Sequence, residues 1–577
     1  MTDNESLGAS THPVATTSTF LRNIKPPQIF FIMMRINLKM AWFCLCGLVM
    51  FIMLSIWSRC GFSSSDWNKP SRIKPYNGRS EHVSDAQVAK EIDCYINNEF
   101  TVNCRKEGDE VYLPFSFLHR YGTVYHPRGK YDPRGVFMYF EKYNVEARER
   151  VKCISASEGV PVSRQWGNQG YYYPTQIAQF GLSHYSKNLT KPEPQRKIIE
   201  DGEKEVLHGW IVPPGCLLNR TLHGGNYALK FNTADCRDSV VSVRLDHVMD
   251  FILSLNVRLE RNSSVTVSLQ DREKKEMFYL HYNTSAMFVY AQDQHIYHGL
   301  GSEPRWLRLT RDLVVDLQKG LLFMNRLKRK ISRSKLKVTG LFLQGEGTVD
   351  NITFSTSEHI AHFYDAANWF VRHQNPTTGG WSNPVKRKVA AGFDELEPGW
   401  YSAMGQGHAI SVLMRAYQHS GGDVRYLQAA VAALRPFRIP SYQGGVLATF
   451  LGKYGWYEEY PTHPPSFVLN GFIYSLLGLY DLMTVGPAAH AREAALLFQQ
   501  GMSALKGMLP LYDTGSGTSY DLRHFTLGVA PNIARWDYHA THVNQLLLLS
   551  TLDDARILDT TAKRWLGYLK GKRSAHN

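Results

Sequence analysis

None of the eight cysteines in this 577-residue chain lies beyond residue 236, and none forms a C-x-x-C pair or a Cys/His zinc pattern. That argues against a structural zinc site and leaves one or two disulfides, or free thiols, among Cys60, Cys94, Cys104, Cys153, Cys216 and Cys236. No G-x-G-x-x-G and no phosphate loop occurs, which argues against enzymes that oxidise a substrate transiently with NAD. Acidic residues are the minority, 51 Asp+Glu against 65 Lys+Arg, for a net charge of +14. A basic balance of this size on a folded chain suggests a polyanionic partner; nucleic acid, acidic polysaccharide and anionic membrane all qualify. What is abundant is apolar and aromatic side chain, 44% and 12% of residues, enough to build packed cores rather than disorder. The length suits two to four domains.

Long charge-free runs are also scarce. The one that matters is "AWFCLCGLVMFIMLSIW", residues 41–57 between Lys39 and Arg59, at the short end of what spans a bilayer. "SIWSRC" is a poor cleavage site, so the run is expected to be an uncleaved signal-anchor behind a cytosolic tail, residues 1–40. Basic residues flank it on both sides and do not fix its orientation. Sequons at Asn188, Asn219, Asn262, Asn283 and Asn351 all follow it. Such acceptors are used only in a secretory lumen, which favours a type II topology.

Texture divides the remainder. Residues 58–85, rich in Ser, Pro and Gly, have the composition of a stalk. Residues 86–200 mix short apolar runs with Gly and Pro, as in "GVFMYF" and "YYYPTQIAQFGL", and are expected to form hairpins and loops. From 201 to 356 the pattern alternates with β-branched residues ("SSVTVSLQD", "MFYLHYN", "KVTGLFLQGEGTVDNITFS"), the mark of an antiparallel sandwich. From 357 to 577 seven helical segments follow, beginning "EHIAHFYDAANWFVRHQ" and ending "ARILDTTAKRWLGYLKG". Many are apolar on more than one face, so a barrel or toroid of α/α hairpins is expected. The fold class is therefore α+β and multidomain, preceded by one transmembrane helix.

Three loops at helix entrances set a tyrosine beside charge: "GWYEEYPTHPPSF" (455–467), "LYDTGSGTSYDLRH" (511–524) and "PNIARWDYHATH" (531–542). Tyrosines often cap helical barrels with the ring buried and the hydroxyl wet. Three such loops converging on one rim would be harder to explain that way.

These loops, with "EPGWYSAMGQGHAIS", "GVFMYFEKYNVEARERVKCIS" and "QWGNQGYYYPTQIAQFGLSHYSKNLT", resemble the D-glucuronyl C5-epimerases of heparan sulfate and heparin biosynthesis. The similarity runs from about Glu91 to the C-terminus and weakens between roughly 195 and 350. Cys104 and Ala540 depart from the family pattern, and neither touches the acid/base positions. The resemblance implies a dimeric Golgi membrane enzyme of type II topology, with a β-hairpin region, a β-sandwich and an α/α barrel. Its partner would be heparosan or heparan sulfate, not nucleic acid, and no NAD or other organic cofactor is implied.

Inverting C5 of a uronate removes a proton α to a carboxylate and returns one from the opposite face. Such chemistry needs an acid/base on each side of the ring and a cation or hydrogen-bond donors on the carboxylate. By the resemblance, Glu459 with Tyr460 lies on one face and Tyr538 on the other, with Tyr520 nearby and Arg523 on the uronate carboxylate. Either Glu459 or Tyr460 takes the proton. A neighbouring cation such as Arg523 would favour a phenolate, and burial would raise Glu459 toward a working base. Implied substrate contacts are Tyr143, Arg148, Arg150, Gln165, Tyr173, Gln176 and Gln179 from the hairpin region, and Asn470, Tyr474 and Arg535 from the barrel. A structural calcium ion is implied, with Asp201, Glu203 and Asp350 in register as oxygen ligands. Polysaccharide lyases draw on similar residues, and a sulfated-glycan-binding protein is the non-catalytic alternative.

Overall fold

The computed structural model describes residues 122–575 except 206, 237–239 and 324–330, together with three short strands between residues 91 and 119. The tail, anchor and stalk, Cys60, and the side chains of Cys94 and Cys104 lie outside the described residues. Among the described residues no helix is long and apolar enough to cross a membrane.

Strict alternation in the central third produces strands with one face inward. In Met277–Asn283, for example, Phe278, Leu280 and Tyr282 are buried and their neighbours are not. Numbering strands in chain order, the hairpin region supplies β1 (Glu91–Ile96), β2 (Phe100–Arg105), β3 (Leu118–His119), β4 (Val151–Ile154), β5 (Pro161–Ser163) and β6 (Tyr171–Tyr172). One sheet of the sandwich runs Leu307–Asp312, Ile252–Leu259, Glu346–Ser355, Asn226–Asn232, Leu217–His223, with Arg196–Glu200 also on Glu346–Ser355. The other runs Tyr290–Gln292, His295–Gly299, Met277–Asn283, Ser264–Asp271, Leu336–Gln344, Val241–His247, Trp210–Ile211. All pairings are antiparallel except Met277–Asn283 with His295–Gly299. The two sheets share one apolar core, and a disulfide joins Cys216 to Cys236. Cys153 is buried as a free thiol.

Among the described residues two helices longer than ten residues lie where none is expected from the sequence. The first, α1 (Pro174–Thr190), falls inside the stretch read as hairpins and loops. Pro174 opens it at a position where its missing N–H costs nothing, and its small residues admit close neighbours: Gly181 leaves no room for a Cβ beside Ala366 and Val412. The second, α2 (Leu313–Phe323), sits within the sandwich stretch, where Asp312 accepts from the amides of Val314 and Val315 and caps it. Its buried Lys319 donates to the main-chain carbonyls of Arg148 and Val151 at 2.8 and 2.9 Å. The sandwich thereby holds the strand entry that carries Arg148 and Arg150.

All seven helical segments expected after residue 357 form. They are α3 (His359–His373), α4 (Ala403–His419), α5 (Val424–Ala432), α6 (Leu469–Val485), α7 (Ala488–Met508), α8 (Trp536–Leu549) and α9 (Arg556–Leu569). Helices α1, α4, α6 and α8 are buried along most of their length, whereas α3, α5, α7 and α9 bury one face. The inner four stand side by side in that order, each backed by an outer helix. Between α4 and α6 the backbones touch at Gly407 and Gly478, where any Cβ would meet the facing main chain.

A buried ion pair ties the inner layer to the segment before β4. Arg415 of α4 donates to Asp481 of α6 at 2.7 Å, and Tyr131 donates to the other oxygen of that carboxylate at 2.8 Å. Removing one partner of such a pair leaves an uncompensated charge. Asp481→Ala is therefore expected to cost about 3–5 kcal/mol in chemical denaturation, whereas truncating the exposed Asp559–Lys563 pair of α9 costs less than about 1 kcal/mol.

Candidate active site

Glu458 and Glu459 are chemically identical neighbours, and the backbone sends them opposite ways. They leave a hairpin of Leu447–Phe450 and Tyr454–Tyr457 at the entrance to α6. Glu458 turns inward, accepting the Ser466 hydroxyl at 2.7 Å and the Phe467 amide at 2.9 Å. Burial pushes it up to about 8 despite those donors. Its partners make it a clamp that folds the loop back onto the start of α6.

Glu459 is 5% exposed, and its Oε2 is enclosed without a protein partner. Burial raises its carboxyl to about 7, against the smaller lowering effects of a Tyr460 hydrogen bond and the Arg387 charge. Space for it exists only because residue 471 is glycine, where a Cβ would overlap the Glu459 carboxylate.

The three tyrosine loops do converge, because main-chain bonds stitch them together. Leu469 N–H donates to Tyr520 O, Tyr520 N–H to Asn532 O, Leu522 N–H to Ser466 O and Ala534 N–H to Thr518 O, all between 2.7 and 3.1 Å. Tyr520 and Tyr538 pack edge to face at 4.8 Å. The Tyr460 ring sits against Trp400 at 5.8 Å and Trp166 at 6.3 Å, and Trp166 reaches Tyr173 at 5.4 Å. Desolvation first, and the Glu459 charge second, raise the phenols of Tyr173, Tyr460, Tyr520 and Tyr538 above their ordinary value. Glu459 therefore stands at the electrostatic centre of four neutral phenols, which corrects the expected phenolate.

Arg523, the expected cation for a uronate carboxylate, is oriented by Asp521, whose two oxygens accept from its Nε and Nη2 at 2.8 and 2.6 Å. Arg535 is exposed, pairs with Asp537 at 3.0 Å and lies over the Tyr538 ring. Exposed Arg150 faces Tyr173 and Tyr538.

Other expected contacts form a continuation of the cluster. Arg148 donates to Gln179 at 2.7 Å and lies 5.0 Å from the Tyr143 ring. Tyr143 and Tyr474 share hydrogen bonds with Tyr139, a residue not anticipated. Gln176, 2% exposed, has neither its Nε2 nor its Oε1 satisfied, and buried Asn470 has an unpartnered Oδ1. Native buried polar atoms are nearly always paired; Gln176, Glu459 and Asn470 each keep a polar atom with no protein partner, which a water or a ligand can satisfy. Gln165 is half-buried beside Trp166, its main-chain N–H donating to the Ser163 hydroxyl.

The three carboxylates in register for calcium do not share a ligand shell. Asp201 accepts from its own turn at the Glu203 amide, and Glu203 accepts from the Tyr227 amide. Asp350 is different: its Oδ2 takes the amides of Asn226 and Asn351, while Oδ1 is buried and unpartnered. Among the described residues no three His, Cys, Asp or Glu side chains come together as metal ligands.

Two predictions follow from Glu459. Its folded value lies above the ordinary carboxylate range, so its contribution to stability is complete below about pH 4.5 and is lost as pH rises through about 7. Glu459→Gln should flatten that loss by about 3 kcal/mol between pH 5 and pH 8 in urea denaturation. Gly471→Ala should displace the carboxylate and cut turnover by about 100-fold while the chain stays folded, checked by activity alongside circular dichroism.

Comparison with known proteins identifies the family. The family model for the D-glucuronyl C5-epimerase C-terminus matches residues 374–567, and that for the D-glucuronyl C5-epimerase β-sandwich domain matches residues 225–346. A D-glucuronyl C5-epimerase of Caenorhabditis elegans is 37% identical over 84% of this chain and 90% of its own. An uncharacterized protein of Methanocaldococcus jannaschii is 34% identical over 27% of this chain and 47% of its own. Among solved structures, a family 29 carbohydrate-binding module complexed with cellulohexaose is 14% identical, covering 29% of this chain and 95% of its own with a TM-score of 0.18. That score carries no argument. The sequence matches carry one, and the chain belongs to the D-glucuronyl C5-epimerase family of isomerases.

Proposed function

We propose that this chain converts D-glucuronic acid to L-iduronic acid at C5 within N-sulfated heparosan, with Glu459 as base and Tyr538 as proton donor. The observation that carries this reading is the meeting of one enclosed carboxylate, raised to about 7, with neutral phenols from two further loops. A base poised near neutral pH is ionised often enough to act and basic enough to remove a proton. The C5–H bond breaks, its proton goes to Glu459 and its electron pair is delocalised into the uronate carboxylate. Tyr538, on the opposite face, returns a proton to C5. Tyr460 and Tyr520 are donors that hold the ring between them.

In this reading Gln176 and Asn470 bind sugar hydroxyls, and Arg148 and Arg150 pair with sulfates along the chain. The helices close as a toroid, and the enzyme is a glycosylated dimer in the Golgi lumen, held by residues 41–57 as a type II anchor. Calcium is structural, and Asp350, whose buried Oδ1 has no partner, is the carboxylate with an oxygen to offer a hard cation.

Incubation with N-sulfated heparosan in D₂O tests the reaction. Deuterium at C5 in an unbroken chain is the expected result; unsaturated chain ends would mean a lyase, and an unchanged polymer a glycan-binding protein. Tyr538→Phe should abolish iduronate formation while leaving polysaccharide binding within about twofold, measured by affinity at fixed salt.

A further inference from the structure

A groove of about 600 Å³ lies between the sandwich strand Leu307–Asp312 and α3, and it shares no residue with the site around Glu459. Its volume falls among ligand-binding clefts, which run from roughly 300 to 1,000 Å³. The floor is the turn Ala156–Gly159, which follows β4. Arg311 of the strand donates to the carbonyls of Ile154 and Ser155 at 2.9 and 3.0 Å, and Gly159 stands so close to α3 that a Cβ would overlap the Asp365 carboxylate. The floor is therefore fixed to both walls before anything binds.

Three guanidinia line this groove against two carboxylates. Arg372 is engaged with Glu158 at 2.7 Å, and Asp365 lies 3.8 Å from His362. Arg305 and Arg308 are exposed. Arg305 makes a single bond, to the Ser157 carbonyl at 3.3 Å. The Arg308 side chain forms no hydrogen bond or ion pair among the described residues, although its charge reaches Asp365. Between them stands half-buried Trp306, held by its indole N–H donating to His223 at 2.9 Å. On the facing helix Asn368 accepts the Tyr426 hydroxyl at 2.8 Å, which leaves its NH₂ to donate. Guanidinium forks suit sulfates and carboxylates, an indole suits the apolar side of a sugar ring, and an amide suits hydroxyls.

We propose that this groove is a second, non-catalytic binding site for the acidic polysaccharide, in which Arg305 and Arg308 pair with its sulfates or carboxylates beside Trp306. The identity of the polymer rests on the epimerase reading above; the groove goes beyond it, since its residues take no part in that reaction. Continuity favours this occupant. β4 begins directly after Arg150 and leads to the floor of the groove, and the chain from Arg150 to Ser157 spans at most about 25 Å. A polymer held at one site meets the other as an intramolecular partner, so the two together retain a chain longer than either alone.

The experiment uses the full chain and N-sulfated heparosan, both as long polymer and as a hexasaccharide, scoring C5 deuterium from D₂O. Arg305→Ala combined with Arg308→Ala should raise KM for the polymer about tenfold and flatten its salt dependence, while kcat and the hexasaccharide KM stay within about twofold. Arg305→Lys combined with Arg308→Lys should recover part of the polymer KM, since charge remains without the fork. Hexasaccharide titrated in a calorimeter should fill two sites on wild type and one on the Arg305→Ala, Arg308→Ala protein, with melting temperature confirming the fold. An unchanged polymer KM and salt dependence overturns the proposal, and so does an equal loss of hexasaccharide turnover. Sedimentation in which only the alanine double variant loses a dimer overturns it too, since the groove would then be a subunit contact. If wild type incorporates no deuterium yet fills two sites, one of them lost in that variant, the epimerase reading falls and the groove stands.

Discussion

The structure around the candidate site depends on taking one carboxylate out of water. Ionised Glu459 in a dry environment is unfavourable, and the protein offsets that by only one weak hydrogen-bonding partner and a nearby arginine. The consequence is a base whose proton affinity approaches neutrality. Burial first, and the charge of Glu459 second, keep the surrounding phenols protonated, so base and donors are set apart by the same act of burial.

Maintaining that burial requires a rigid surround, and the packing supplies it at several distances from the site. Gly471 gives the carboxylate room at the first turn of α6, and the contact of Gly407 with Gly478 brings α4 and α6 close enough to fix where that turn stands. The Arg415–Asp481–Tyr131 network locks the same two helices to the segment leading into β4. From the other side, Lys319 of the sandwich grips the carbonyls flanking Arg148 and Arg150. Both cores therefore meet at the segment that carries Arg148 and Arg150.

Much of this was legible in sequence because it is written in periodicity. The alternating strands after residue 201 and the seven later helices follow directly from apolar spacing. Helix α1 escaped because its sequence, "PTQIAQFGLSHYSKNLT", opens on proline directly after the Gly- and Tyr-rich "GNQGYYY", signals that read as turn and loop. The tyrosine loops declared themselves by composition, yet which acids and bases they pair depends on long-range register. Nothing in "YDLRH" says that Arg523 folds back on Asp521 two residues away, and nothing in "VKRKVAAGF" says that the second of its three basic residues lies over Trp166. Those choices are made by Trp166 and Leu396, which are remote in the chain.

The pair Glu458–Glu459 shows how far residue type alone can mislead. Both are buried, both are raised by desolvation, and Glu458 by more. A ranking by perturbation alone would favour Glu458 as the working base. Hydrogen bonding reverses that choice: Glu458 spans Ser466 and the Phe467 amide and cannot leave them without loosening the entrance to α6. Glu459 keeps an oxygen with no protein partner, facing tyrosines that have no structural need of it. A strongly shifted group with both its oxygens engaged is part of the scaffold; the group left with one to offer is free for chemistry.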